Sequence, residues 1–314
     1  MKGKIVSITG STSGIGKQTA VELAGLGATV LLHARTAEEG LPVISQLQKN
    51  MPSASFDLFV ADFEKQQQVQ KMVVEIETAY TKLDVLINNA ALYSSERKLT
   101  EDSIEKTFAV NHLAPFLLAH LLMPLLKNAA APRIINVSSQ AHFQGHFDIC
   151  NLQGEKTYDG VDMYCSSKLC NLLFTYQLAS KLENQSIMVN AVHPGLVATD
   201  LYLGLFTEFD NEPVHDAAET IVYMACSPEV EIVTGEYFLS GIPILSSYNS
   251  YIKKYQRQLW ELSERLTSID SDLYMANGKE TQKRRNRLSH LLRNIFEAAT
   301  KSTKRKGYVE YNLH

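Results

Sequence analysis

An α/β fold with a parallel sheet covered on both faces by helices is predicted by three features of this 314-residue chain. Short β-branched runs alternate with longer amphipathic stretches through about the first 240 residues, and such alternation builds crossovers between parallel strands. The strand runs are apolar almost throughout, as strands buried on both faces are. A glycine-rich segment follows the first run directly, where a tight turn leads into a helix.

Ile5–Thr9 reads as the first strand, and the spacing predicts a helix over 16–25. Thr29–His33 is a second strand, followed by a helix over 38–49 and a strand at Phe56–Val60. Residues 69–80 have helical spacing, and Leu83–Asn88 is again extended. A long helix is predicted over 103–126, then a strand at Arg133–Val137, a helix over 164–183 and a strand at Ile187–Ala191. One domain is expected over 1–245. A basic, mostly helical extension is expected over 246–314, with helices near 251–266 and 288–299 and a disordered end.

Composition narrows the function classes. Hydrophobic residues make up 45 % and charged residues 20 %, which suits a globular protein with a real core. The net charge of −4 excludes a uniformly basic nucleic-acid binder. It hides an asymmetry: residues 246–314 carry 14 basic and 7 acidic side chains, and the rest carries 16 and 27. The segment 279–306 holds ten lysines and arginines against two glutamates. A solvated tail, or contact with an anionic membrane surface or an acidic partner, follows from that charge. Specific nucleic-acid recognition does not, because no stacking platform accompanies it. No signal peptide or transmembrane anchor is legible, so a cytoplasmic location is expected. Cys150, Cys165, Cys170 and Cys226 show no metal-ligand spacing and read as free thiols, those at 165 and 170 as packing residues.

The chemistry begins at Thr9-Gly10-Ser11-Thr12-Ser13-Gly14-Ile15-Gly16. Glycines allow close backbone approach, and the amides of a following helix can face a pyrophosphate. The segment lacks the Gly-Lys-Ser/Thr ending of a phosphoryl-transfer loop. Arg35 stands at the end of the second strand, where an NAD-selective acid would bind the ribose. A guanidinium there can hold a 2′-phosphate, so NADP(H) is the sharper reading, with a plain surface arginine as the alternative.

Tyr164 and Lys168 are four apart on a predicted helix and share a face. An ammonium near a phenol favours its ionised form and makes it a usable acid–base group. Ser138 and Ser139 follow a strand and can present a hydroxyl to a carbonyl. Asn111 sits inside a predicted helix, where asparagine is unfavourable, and reads as a buried amide or a proton-relay anchor.

These motifs together resemble the short-chain dehydrogenase/reductase family over about residues 4–240. They are Thr9–Gly16, Asn88-Asn89-Ala90, Asn111, Ser138-Ser139, Tyr164-x-x-x-Lys168 and Pro194-Gly195. His33-Ala34-Arg35-Thr36, Val110–Leu113, Val137–His142, Ser167–Thr175, His193–Gly195 and Leu259–Ser263 are similar to its retinol dehydrogenase-like and WW-domain oxidoreductase-like branch.

The resemblance implies a Rossmann-type doubly wound parallel sheet flanked by helices. It also implies an NADP(H)-dependent interconversion of a hydrophobic ketone or aldehyde with its alcohol. Tyr164 would be the acid–base residue, Lys168 would lower its pKa and hold the ribose, Ser139 rather than Ser138 would orient the substrate, and Asn111 would hold a relay water. The cofactor would lie along Gly10, Ser11, Ser13, Gly14, Ile15, Gly16, Arg35, Thr36, Asp62, Phe63, Asn88, Ala90 and Val110. It would continue past Tyr164 and Lys168 to Pro194, Gly195, Val197 and Thr199, and no metal is needed. Leu201, Tyr202, Leu203, Leu205, Phe206 and Phe209 suggest an apolar lid, or an ordinary core helix. A homodimer through the two long helices is implied, though the extension has the length to cover that surface. The alternative class is a cofactor-binding scaffold whose tail engages a partner.

Overall fold

The computed structural model describes residues 1–195 and 214–272. The chain divides into two compact units, Met1–Ile269 and Asp270–His314. Of the second unit only the first three residues are described. Val197, Thr199, the expected lid and the basic run over 279–306 lie outside the described residues.

The strands are β1 (Ile5–Ile8), β2 (Thr29–Ala34), β3 (Ser55–Val60), β4 (Val85–Asn88), β5 (Arg133–Val137), β6 (Met188–His193), β7 (Tyr237–Leu239) and β8 (Ile242–Ile244). They form one sheet in the order β3-β2-β1-β4-β5-β6-β7-β8. Pairing is parallel from β3 to β7, and β8 returns antiparallel as a hairpin on β7. The doubly wound α/β class read from the alternation is the fold observed. The strand order reverses between β1 and β4, and the crevice at that point, outside the carboxyl ends of the strands, is where such sheets bind ligands.

Helices α1 (Gly14–Gly25), α2 (Ala37–Asn50), α3 (Gln66–Ala79) and α7 (Gly160–Lys181) match four expected helices with shifted ends. At α2 and α7 a side-chain cap sets the first turn. Thr36 accepts the Glu39 amide at the head of α2, and Asp159 accepts the Val161 and Asp162 amides at the head of α7. The helix expected over 103–126 is instead broken into α4 (Lys106–Phe108), a π-helical turn (Ala109–Leu113), α5 (Ala114–Leu121) and α6 (Met123–Lys127). Pro115 and Pro124 fall at the starts of the last two, because proline cannot donate within a helix.

Alternate strand residues pack the core. Val6, Ile8, Val30, Leu32, Val85, Ile87, Ile135 and Val192 meet Ala20 and Leu23 of α1 and Ile221 and Met224 of α8 (Val214–Cys226). On the other face Leu172 and Tyr176 of α7 meet Ala191 and Tyr237.

The expected start of the extension, Ser246, falls inside the first unit. Helix α9 (Lys253–Thr267) buries Leu259 and Trp260. Trp260 lies edge-on to Phe116 at 5.2 Å and stacks on Phe174 at 6.1 Å. Ser263 bonds the His112 ring at 2.8 Å. Helix α9 therefore covers part of the α5–α7 face that the resemblance nominated for pairing. Among the described residues no helix is long and apolar enough to cross a membrane.

Candidate active site

A cavity of about 930 Å³ opens at the reversal point. The turn between β1 and α1 forms its floor. Gly10 has φ of +63° and Gly14 +51°, both left-handed values that favour glycine. A Cβ on Gly10 would meet the Ala90 backbone at 2.9 Å, and one on Gly16 would meet the Gly10 carbonyl at 2.3 Å. Only bare backbone fits this close approach. Gly10, Ser13, Gly14, Ile15 and Gly16 all line the cavity.

Ser11 does not line it. Its buried hydroxyl lies 3.0 Å from the Ile8 carbonyl and 2.8 Å from the His33 amide, splicing the turn to β2. His33 was not anticipated. Its Nδ1 accepts the Gly10 amide at 3.0 Å, and Nε2 meets the Ala61 carbonyl at 2.9 Å. The ring stacks on Phe63 with centroids 4.0 Å apart, and burial lowers its pKa to about 4.

Arg35, Asp62 and Phe63 line the same end of the cavity, as does Glu39, another unanticipated residue. Arg35 bonds Glu39 one helical turn on. Thr36 caps α2 and does not line the cavity. Asn88 is likewise not a lining residue. At the end of β4 its side chain turns into the sheet, where Nδ2 donates to Asn136 Oδ1 at 2.8 Å. The next residue, Asn89, lines the cavity instead and donates to the carbonyls of Thr9 and Gly10. Ala90 and Val110 are at the wall as expected.

At the other end stand Ser138, Ser139, Tyr164, Lys168, Pro194 and Gly195. The Ser138 hydroxyl is committed to the Lys168 carbonyl at 2.9 Å. Ser139 begins a 3₁₀ turn (Gln140–Gln144), accepts the Ala141 amide at 3.2 Å, and lines the cavity together with Tyr164. Burial, reinforced by Cys165, pushes the Tyr164 pKa above its ordinary value, and the nearby Ser139 hydroxyl opposes that rise. Lys168 Nζ donates to the Val137 carbonyl at 3.1 Å and lies 5.5 Å from the Tyr164 ring centroid. Burial lowers the Lys168 pKa to about 8. His193, at the end of β6, also lines the cavity, and burial lowers its pKa to about 4.

Asn111 is buried behind the wall. In the π-helical turn its amide holds the backbone of Leu92 on both sides, at 2.8 and 2.9 Å, and donates to Ser167 at 3.0 Å. It therefore joins the β4 loop to α7 without touching the cavity. Such π turns are common at functional sites.

The short chain dehydrogenase family model matches residues 4–208. The chain belongs to that family. It lies in the retinol dehydrogenase-like branch. Retinol dehydrogenase 14 of Mus musculus is 35 % identical over 291 residues, covering 86 % of this chain and 87 % of the relative. Retinol dehydrogenase 11 of Homo sapiens is 35 % identical over 281 residues, covering 87 % and 88 %. Among solved structures, an uncharacterized protein from Mycobacterium Paratuberculosis matches with a TM-score of 0.72 and 28 % identity, covering 85 % of this chain and 94 % of that one. A chain from Escherichia coli CFT073, complexed with NADPH, matches in fold with a TM-score of 0.64 at 22 % identity, covering 77 % and 98 %.

The short-chain dehydrogenase fold binds a nicotinamide cofactor, and its members act on alcohols and carbonyls. The glycine turn fits such a group, since Gly10, Ser13, Gly14, Ile15 and Gly16 line the cavity at the head of α1, where backbone amides can face a phosphate. Buried Cys165 and Cys170 have thiol pKa values raised by burial, as packing residues do.

Proposed function

We propose that the protein is an NADP(H)-dependent oxidoreductase interconverting a hydrophobic aldehyde or ketone with its alcohol. One observation carries this reading. Ser139, Tyr164 and Lys168 line the same cavity as the glycine turn and Arg35. When bound, the nicotinamide supplies or accepts the hydride.

The chain's own residues do the rest. The glycine turn and the head of α1 hold the pyrophosphate, and Arg35 holds a 2′-phosphate. Tyr164 is protonated in its buried setting, so in reduction it delivers its proton to the carbonyl oxygen. The Ser139 hydroxyl donates to the same oxygen as charge develops. Lys168, whose ammonium stands beside the Tyr164 ring, would hold the ribose, and the phenolate regains its proton from solvent. Asn111 serves as a positioning residue, fixing Leu92 and α7 around the site.

The apolar lining contributed by Leu92, Val137 and Phe143 suits a hydrophobic substrate, and the retinol dehydrogenase names of the relatives agree with that class. The basic tail supports contact with an anionic membrane surface or an acidic partner.

The test is NADPH oxidation against a panel of apolar aldehydes and ketones. Tyr164→Phe is expected to lower kcat by about 10²–10⁴-fold while NADPH binding stays within about twofold. Wild-type protein that binds NADPH but turns over nothing on the panel would sink the enzymatic reading.

A further inference from the structure

His142 lies at the centre of the turn that follows Ser139, and its ring is fully buried. Both ring nitrogens are bonded. Nδ1 stands 2.6 Å from the Ser139 carbonyl oxygen, which can only accept, so Nδ1 carries the proton. Nε2 accepts the Ser247 amide at 3.0 Å. One neutral tautomer satisfies both contacts. The ring is also held by Tyr237, edge-on at 4.9 Å.

The Ser247 end of this link is itself locked. The Tyr176 hydroxyl meets Ser246 Oγ at 2.7 Å, and Ser246 Oγ meets Ser250 Oγ at 2.7 Å. The Ser246 amide donates to the Tyr251 hydroxyl at 3.0 Å. The Tyr176 and Tyr251 rings stack with centroids 5.2 Å apart. Tyr176 belongs to α7, the helix that carries Tyr164 and Lys168. A closed circuit results: from the Ser139 turn through His142 to Ser247, through Ser246 to Tyr176, and back along α7 to Tyr164.

We propose that His142 is a positioning residue through which residues 246–251 set the Ser139 hydroxyl against the Tyr164 phenol. The inference rests on the roles given above to Ser139 and Tyr164. It gives the start of the extension a part in the reaction, although no residue of that segment lines the cavity. The Ser139 carbonyl accepts both the His142 backbone amide at 3.2 Å and the His142 ring at 2.6 Å, and only the ring ties the turn to Ser247. The Ser139 hydroxyl accepts the Ala141 amide and lines the cavity together with Tyr164, so the peptide group held by His142 helps to set where that hydroxyl sits.

Ser247→Pro breaks the link outright, because the proline Cδ takes the place of the proton on the amide nitrogen 3.0 Å from His142 Nε2 and displaces the imidazole. Ser247 has φ of −62°, the value a proline ring imposes, and its side chain makes no capping bond. The substitution deletes the one amide proton that His142 accepts. With NADPH and a long-chain aliphatic aldehyde as probes, kcat is expected to fall on the order of tenfold to a hundredfold. The NADPH dissociation constant should stay within about twofold. Amide hydrogen exchange over 140–144 is expected to quicken, a readout independent of turnover.

A complementary pair is His142→Asn and His142→Phe. Asparagine retains an N–H at the δ position toward the Ser139 carbonyl, so it should keep more of kcat than phenylalanine does. Unchanged exchange over 140–144 in Ser247→Pro would overturn the link, and so would faster exchange with an unaltered kcat. If wild-type protein reduces no aldehyde, the oxidoreductase reading fails, and the exchange measurement still decides whether the link exists.

Discussion

Arg35 and Glu39 pair at the cavity wall, and under the proposed function their pairing bears on cofactor choice. The Arg35 side chain is 61 % exposed, and its partner carboxylate is 39 % exposed. Glu39, Asp62 and Glu64 all bias the guanidinium toward its charged form. A 2′-phosphate must compete with Glu39 for the same donors, and the carboxylate repels it. Solvent screens this pair, so the effect is modest. Glu39→Gln is expected to tighten NADPH binding a few-fold and leave NADH binding nearly unchanged. Titration of both cofactors by fluorescence checks it, and equal changes for the two would remove Glu39 from the 2′-phosphate site. The residue scale also shows which signals are local. Tyr164 and Lys168 were legible because four residues apart on a helix is one face. Asn88 was read as a lining residue because sequence does not tell which way a side chain turns at a strand end. Its neighbour Asn89 took the place, and Asn88 paired with Asn136 in the sheet. His33 and His142 stand in stretches that carry the family resemblance, but neither those stretches nor Glu39 shows what the side chain bonds. Their partners lie on other segments or depend on a rotamer.

Helix α9 shows the same division at the scale of an element. Its amphipathic spacing was readable, but its partner was not. The face it covers is made by Phe116 of α5 and Phe174 of α7, more than fifty residues apart in the chain. Trp260 is the anchor: 5 % exposed, edge-on to His120 at 5.1 Å, and capped by the Lys181 ammonium 4.9 Å from its ring. Replacing a buried tryptophan with alanine removes the transfer energy and leaves a cavity, at a cost of about 3–5 kcal/mol. Trp260→Ala should lower the thermal midpoint by several degrees. Trp260 is also the chain's one tryptophan, so its fluorescence reports docking of α9 in the wild type. The emission shift should coincide with loss of helical circular dichroism on heating. An earlier shift would mean that α9 leaves before the core unfolds. The long helix expected over 103–126 broke for a reason visible in the sequence, Pro115 and Pro124. The π-helical turn that seats Asn111 was not visible, because it is set by bonds to Leu92 and Ser167 from elsewhere.

The whole molecule buries several histidines in their neutral form. Burial lowers His112 to about 3, and His33, His120 and His193 to about 4. In the unfolded chain each returns to about 6.5. Between about pH 4 and 6.5 the unfolded state therefore binds more protons, and stability falls as pH falls through that window. Above about 6.5 both states leave these rings neutral and nothing is lost. The urea midpoint should thus be flat from pH 7 to 7.5 and drop steadily toward pH 5. A midpoint at pH 5 equal to that at pH 7 would show that these rings are not buried neutral.

The sequence by itself determined the doubly wound α/β architecture, the glycine turn after the first strand and the Tyr164/Lys168 pair. Those features are written in periodicity and short spacings, which local backbone chemistry obeys. The tertiary structure alone decided that Asn89 rather than Asn88 meets the glycine turn, that Arg35 is shared with Glu39, and that 246–269 belongs to the first compact unit. Each of those depends on contacts between residues distant in the chain, or on a side-chain rotamer, and a buried polar group takes whichever partner the packing brings within reach.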